Sequence, residues 1–128
     1  MLVPVPIQQE IARQAPPLIA YVPSRLAPGW RYSSWTTTGT MLVIVFRNSA
    51  GKTVDFVVGR SFGTCGLAAQ KTFQTAGVKT YWNHSAAQQQ AWRCVAGVTL
   101  TAVTSLPPNR FADVGLARLA ASGRRLRG

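Results

Sequence analysis

From Trp30 to Thr104 the chain is a succession of short β-prone runs punctuated by glycines, and no other feature constrains its fold as strongly. Trp30 to Thr38 is rich in Thr, Tyr and Trp, residues that suit a pleated, half-buried surface, and Gly39 breaks it. Strict alternation there would put Trp30, Tyr32 and Ser34 on one face and Arg31, Ser33 and Trp35 on the other. Met41 to Phe46 is apolar at every position, which predicts a central strand covered on both faces. Asn48 to Gly51 is a tight connection into Thr53 to Val58, so these two runs form a hairpin. In the second run Val54, Phe56 and Val58 face one way, and Thr53, Asp55 and Val57 the other. Gly59 to Gly66 reads as a loop and Ala68 to Gln74 as a strand, which Ala76-Gly77 turns into Val78 to Trp82. Ala86 to Val95 is mixed. Its Ala and Gln residues favour helix, but Trp92 and Cys94 opposite Arg93 suit a strand, expected over Gln90 to Val95. Gly97 then leads into the alternating run Val98 to Thr104.

The flanks are helical. Pro6 followed by Ile7, Ile11 and Ala15 predicts a short amphipathic helix that stops before Pro16-Pro17. Leu18 to Val22 is extended, and Pro23 and Pro28-Gly29 frame a turn. Pro107-Pro108 ends the β region. Phe111 to Ser122 predicts a second helix with Leu116, Leu119 and Ala120 on one face, Asn109 or Asp113 as its cap and Gly123 as its stop. The arginines beyond Gly123 suit the negative end of that helix. The chain of 128 residues is enough for one core. The expected organisation is a single domain over 1–128: helix and linker over 1–17, mainly β over 18–104, a helix over 108–123 and a basic tail over 124–128. The expected class is α+β, an antiparallel sheet of about six or seven strands with both helices packed on one face.

Charge narrows the partners. Fourteen Lys and Arg stand against three acids, a net charge of +11, in a chain that is 47% hydrophobic and 13% charged. So much apolar content excludes disorder. The basic excess favours anionic partners such as nucleic acid, anionic lipid or wall polymer, or simply a solvated basic surface. Glu10, Asp55 and Asp113 are too scattered to supply paired carboxylates for acid–base chemistry, and Asp55 is expected to face an arginine. Gly59 to Thr64 lacks the spacing and the lysine of a phosphate-cradling loop. Nothing calls for a cofactor.

Cys65 and Cys94 are the only cysteines. They can pair in an oxidising compartment, where the chain-entropy argument gives about 3–4 kcal/mol of stabilisation for a loop of this length. The alternative is a reactive thiol at Cys65, with His84 as its base. Two thiols and one histidine do not make a structural zinc site, so no metal is expected. Asn83-His84-Ser85 matches a glycosylation sequon. The aromatics supply the remaining candidate surface. Trp30, Tyr32, Trp35, Tyr81, Trp82 and Trp92, interleaved with Arg31, Lys79 and Arg93, either stack on ligand rings or fill the core. No RNP motif, helix-turn-helix or zinc knuckle accompanies them. The first six residues lack the basic start of a signal peptide, and no apolar run is long enough to cross a bilayer. Any signal or anchor is therefore expected to lie outside this sequence.

The order of features resembles a widespread bacterial domain of unknown function. Tyr21-Val22-Pro23-Ser24-Arg25-Leu26-Ala27-Pro28-Gly29-Trp30 is similar to its Leu-Pro-x-Gly-Tyr entry. The apolar hairpin of Met41 to Phe46 and Thr53 to Val58 follows. Gly77 to Trp82 is similar to its Gly-x-x-x-Tyr-Trp strand, Gln90-Ala91-Trp92 to its Leu-x-Trp strand, and Leu119-Ala120-Ala121-Ser122 to its closing helix. That domain ends membrane-anchored anti-sigma factors on the extracytoplasmic side and also occurs in lipoproteins. The resemblance covers about residues 18–123 and implies an α+β sensor or binding domain outside the cytoplasm, without catalytic residues. The leading expectation is thus a non-enzymatic extracytoplasmic domain that binds an unknown protein or anionic ligand. A basic, aromatic nucleic-acid-binding module is the alternative, and an enzyme using Cys65 comes third.

Overall fold

Seven of the β-prone runs join into one antiparallel sheet. The computed structural model describes residues 2–60, 65, 69–95, 97–107 and 115–126. Its elements are α1 (Val5–Gln14), β1 (Tyr21–Val22), β2 (Arg31–Thr37), β3 (Met41–Arg47), β4 (Thr53–Arg60), β5 (Lys71–Thr75), β6 (Val78–His84), β7 (Gln89–Val95), β8 (Val98–Thr104), α2 (Leu116–Ala121) and β9 (Arg124–Arg125). The large sheet has the order β2-β3-β4-β8-β7-β6-β5. Hairpins join β2 to β3, β3 to β4, β5 to β6, β6 to β7 and β7 to β8. The chain leaves β4 in mid-sheet and returns at the far edge as β5.

One face of this sheet is dry. Leu42, Ile44, Phe46, Val54, Phe56, Val58, Leu100, Ala102 and Ala91 are all fully buried there. Helix α2 packs on β5, β6, β7 and β8. Its Leu116, Leu119 and Ala120 are buried, as the sequence spacing predicts. Ile11 of α1 belongs to the same apolar cluster. Three polar residues sit in the core with partners. Gln89 accepts a hydrogen bond from Trp82 Nε1 (3.1 Å) and donates to the carbonyls of Leu106 (3.1 Å) and Pro107 (2.9 Å). Thr104 Oγ1 donates to the Thr53 carbonyl, and Thr80 Oγ1 bonds Thr75 Oγ1. Satisfied in this way, they avoid the cost of burying a bare polar atom.

Four expectations need correction. The apolar run of β3 is neither central nor doubly covered. It lies second from an edge, with Leu42, Ile44 and Phe46 buried and Val43 and Val45 only half-buried. Val43 lies across from Val57, so among the described residues β-branched cross-strand pairing accounts for the apolar residues on that side. In β2 a bulge between Tyr32 and Ser34 breaks strict alternation. Tyr32 pairs with Phe46 and Trp35 with Ile44, so both rings fall on the dry face.

The other two corrections concern the C-terminal end. The basic tail is partly a strand: Arg124 pairs with Val22 and Arg125 with Tyr21, and the Leu126 amide donates to the Ala20 carbonyl. Gly123 is not a left-handed helix stop. Its φ is not positive, and it is buried against β4 and β8. A Cβ there would meet Leu100 Cδ1 at 2.7 Å and Phe56 Cζ at 3.1 Å. Glycine is needed for close approach rather than for turning. Ser122 ends the helix instead, and its Oγ accepts the Ser24 and Arg25 amides at 3.1 Å, tying the entry loop to α2. The expected caps Asn109 and Asp113, the helical turn at 111–114 and most of the 59–66 loop lie outside the described residues.

Candidate functional site

The other face of the sheet differs in kind. Paired side chains form two rows across it. One runs Val45, Asp55, Val103, Gln90, Asn83; the other runs Val43, Val57, Thr101, Trp92, Tyr81. Most of these residues are half-buried and none is fully buried. The Tyr81 and Trp92 rings lie 5.7 Å apart with a 33° tilt. Cys94 stands beyond Trp92 on the same face, and its sulfur is bonded to Cys65, 29 residues earlier in the chain. The thiol of the catalytic alternative is thus a disulfide here, with no free cysteine.

Among the described residues Asp55 does not face an arginine. It lies between Val45 and Val103 and makes no ion pair among the described residues. Burial pushes its carboxyl above the usual range, because a charge is poorly solvated among valines. Glu10 is in solvent on α1. Hydrogen bonds from Arg13 and Gln14 hold its carboxyl below the usual range.

The sheet divides the nine predicted surface residues between its faces. Tyr81, Trp92, Arg31 and Lys79 are on the open face, but Arg31 is on edge strand β2 and Lys79 on β6, near the opposite edge. Trp30, Tyr32 and Trp35 pack against the core. Tyr32 meets Phe46 edge-on at 6.4 Å, and burial pushes its phenol up. Trp82 is buried over Gln89, with exposed His84 stacked on it at 4.7 Å and Lys71 Nζ 5.6 Å from its ring centroid. Arg93 turns inward: Nη1 donates to the Ala121 carbonyl (3.2 Å) and Nη2 to that of Gly123 (3.1 Å). Its buried Nε has no partner among the described residues, and burial lowers its pKa. It therefore anchors the end of α2.

A cleft that sequence reasoning missed opens at the β2–β3 end of the open face. It holds about 510 Å³ and is lined by Arg31, Arg47, Ser33, Asn48 and Ser49, among others. The sequence carried no signal for it, because Arg31 falls opposite Arg47 only through the bulge between Tyr32 and Ser34, which shifts the β2–β3 register by one residue. A smaller polar cleft of about 210 Å³ lies at the β6–β7 turn, around Asn83, His84 and Gln88. Asn83 of the sequon is engaged there, its Oδ1 accepting the Gln70 amide. Among the described residues no three potential ligands group around a metal position, and no helix is long and apolar enough to cross a membrane. Compared with known proteins, the chain matches no family model and no curated sequence.

Proposed function

We propose that the protein is a non-enzymatic, extracytoplasmic binding domain that presents the open face of its sheet to a partner. The observation that carries this reading is the half-buried surface of Val43, Val45, Val57, Val103, Tyr81 and Trp92, on the face opposite α2. Apolar and aromatic side chains gathered where no helix or strand among the described residues covers them suit protein association. The Cys65–Cys94 bond supports an oxidising compartment. The motif order similar to the C-terminal domain of anti-sigma factors points the same way, toward a regulatory sensor. On this reading α1 packs on the same face as α2 and leaves the open face free.

The nucleic-acid alternative draws less support, because the basic and aromatic candidates are split between two faces. The test is capture of partners from an envelope fraction by the oxidised protein. Val57→Glu should abolish capture while the protein still unfolds in one cooperative transition. A partner held equally by Val57→Glu would exclude this face. Binding to mixed-sequence DNA or RNA that weakens steeply with salt would replace the reading with the alternative.

A further inference from the structure

We infer that Arg31 and Arg47 form a binding site for a phosphate-class oxyanion. The two residues are direct cross-strand partners on β2 and β3, both exposed, and both line the same cleft of about 510 Å³. Like charges directly opposite in a sheet repel each other. Among the described residues no acid offsets them: the one ion pair is Arg13 with Glu10, on α1. Asp55, the acid on this face, pairs with Val45 rather than with either arginine.

The polar groups around the pair are donors or can become donors. Arg47 Nε donates to Ser33 Oγ at 3.2 Å, which orients the guanidinium while committing neither of its terminal nitrogens. Asn48 Oδ1 is occupied by the Ala50 and Lys52 amides, which leaves its amide nitrogen as a donor. Ser49 adds a hydroxyl. Guanidinium forks grip phosphate through paired N–H···O bonds. A tetrahedral dianion offers enough oxygens for forks from two strands, and its charge removes their repulsion. A lone carboxylate would satisfy only one fork. The site adds an anionic ligand to the binding reading but does not depend on the valine surface, so either can fail alone.

The experiment measures melting temperature and calorimetric binding in inorganic phosphate against chloride at matched ionic strength. It compares the natural protein, Arg31→Gln, Arg47→Gln, the double variant, and an Arg124→Gln/Arg125→Gln control of equal charge loss. Phosphate should raise the melting temperature saturably. Each single variant should bind about tenfold more weakly, the loss of a charge-assisted hydrogen bond. The double variant should lose the effect, and the control should keep it. In chloride the Arg31→Gln protein should melt no lower than the natural one, because repulsion is relieved. A second arm uses vesicles with anionic phosphate headgroups against zwitterionic ones. Binding of free phosphate assigns a small soluble ligand. Binding only to anionic vesicles, lost in the double variant but kept in the control, assigns a headgroup. The proposal is overturned if neither probe binds saturably, or if the double variant responds like the control.

Discussion

The two faces of one sheet are built from the same strands and do different work. Along β4, Val54, Phe56 and Val58 are completely buried, while Thr53, Asp55 and Val57 between them are half-buried. The covered face is sealed by α2, by Gly123 pressed onto Phe56 and Leu100, and by Arg93 binding the end of the helix. It is a stability face, where a polar side chain survives only with its hydrogen bonds satisfied, as Gln89 does. Among the described residues the open face carries one carboxylate, an arginine pair in close register and two neighbouring aromatic rings. Residues there are placed at some energetic cost, a carboxylate among valines and two like charges in register.

Substitutions at adjacent positions of β4 test that division most severely. Phe56→Ala should cost about 3–5 kcal/mol in urea unfolding, because it empties the middle of the dry face. Val57→Ala, one residue on, should cost about 1 kcal/mol or less. Equal costs would mean that both faces are core. Gly123→Ala should lie between these, at about 1–3 kcal/mol, because its Cβ forces Leu100 and Phe56 to shift. A neutral result would show that α2 does not press on the sheet as closely as described.

The smallest effect concerns pH. Burial raises the folded pKa of Asp55 above its unfolded value, so the folded state holds its proton more tightly. Its contribution is fully present below the ordinary aspartate pKa of about 3.9 and is lost as pH rises through the folded value. Asp55→Asn should therefore melt slightly higher than the natural protein at neutral pH, and this advantage should vanish in acid. An unchanged difference across that window would place Asp55 in water.

Much of the fold was legible in the sequence. The two helices, the glycine turns and the seven runs of the sheet all stand close to where periodicity puts them. So do the faces of β4, β7 and β8. The errors have a common source in features that depend on neighbours. No local pattern marks the bulge that turns Tyr32 and Trp35 to the same side, since it is fixed by the register against β3. Arg93 reads as a surface cation by residue type, but its side chain reaches the carbonyls of a helix end 28 and 30 residues away. The candidate surface was half right for the same reason: residue type names the aromatics, but only strand pairing says which of them share a face.

By itself the sequence determined the class, an α+β domain with an antiparallel sheet, because period-two patterns and glycine breaks act over a few residues. It also supplied the two cysteines and the excess of arginines. The tertiary structure alone decided that β3 lies near an edge with one open side, that Gly123 is a packing glycine, and that Cys65 and Cys94 are bonded to each other. It also decided that Arg31 and Arg47 meet. The physical reason is that a side chain's role depends on what lies across from it, and strands far apart in the chain set that opposition.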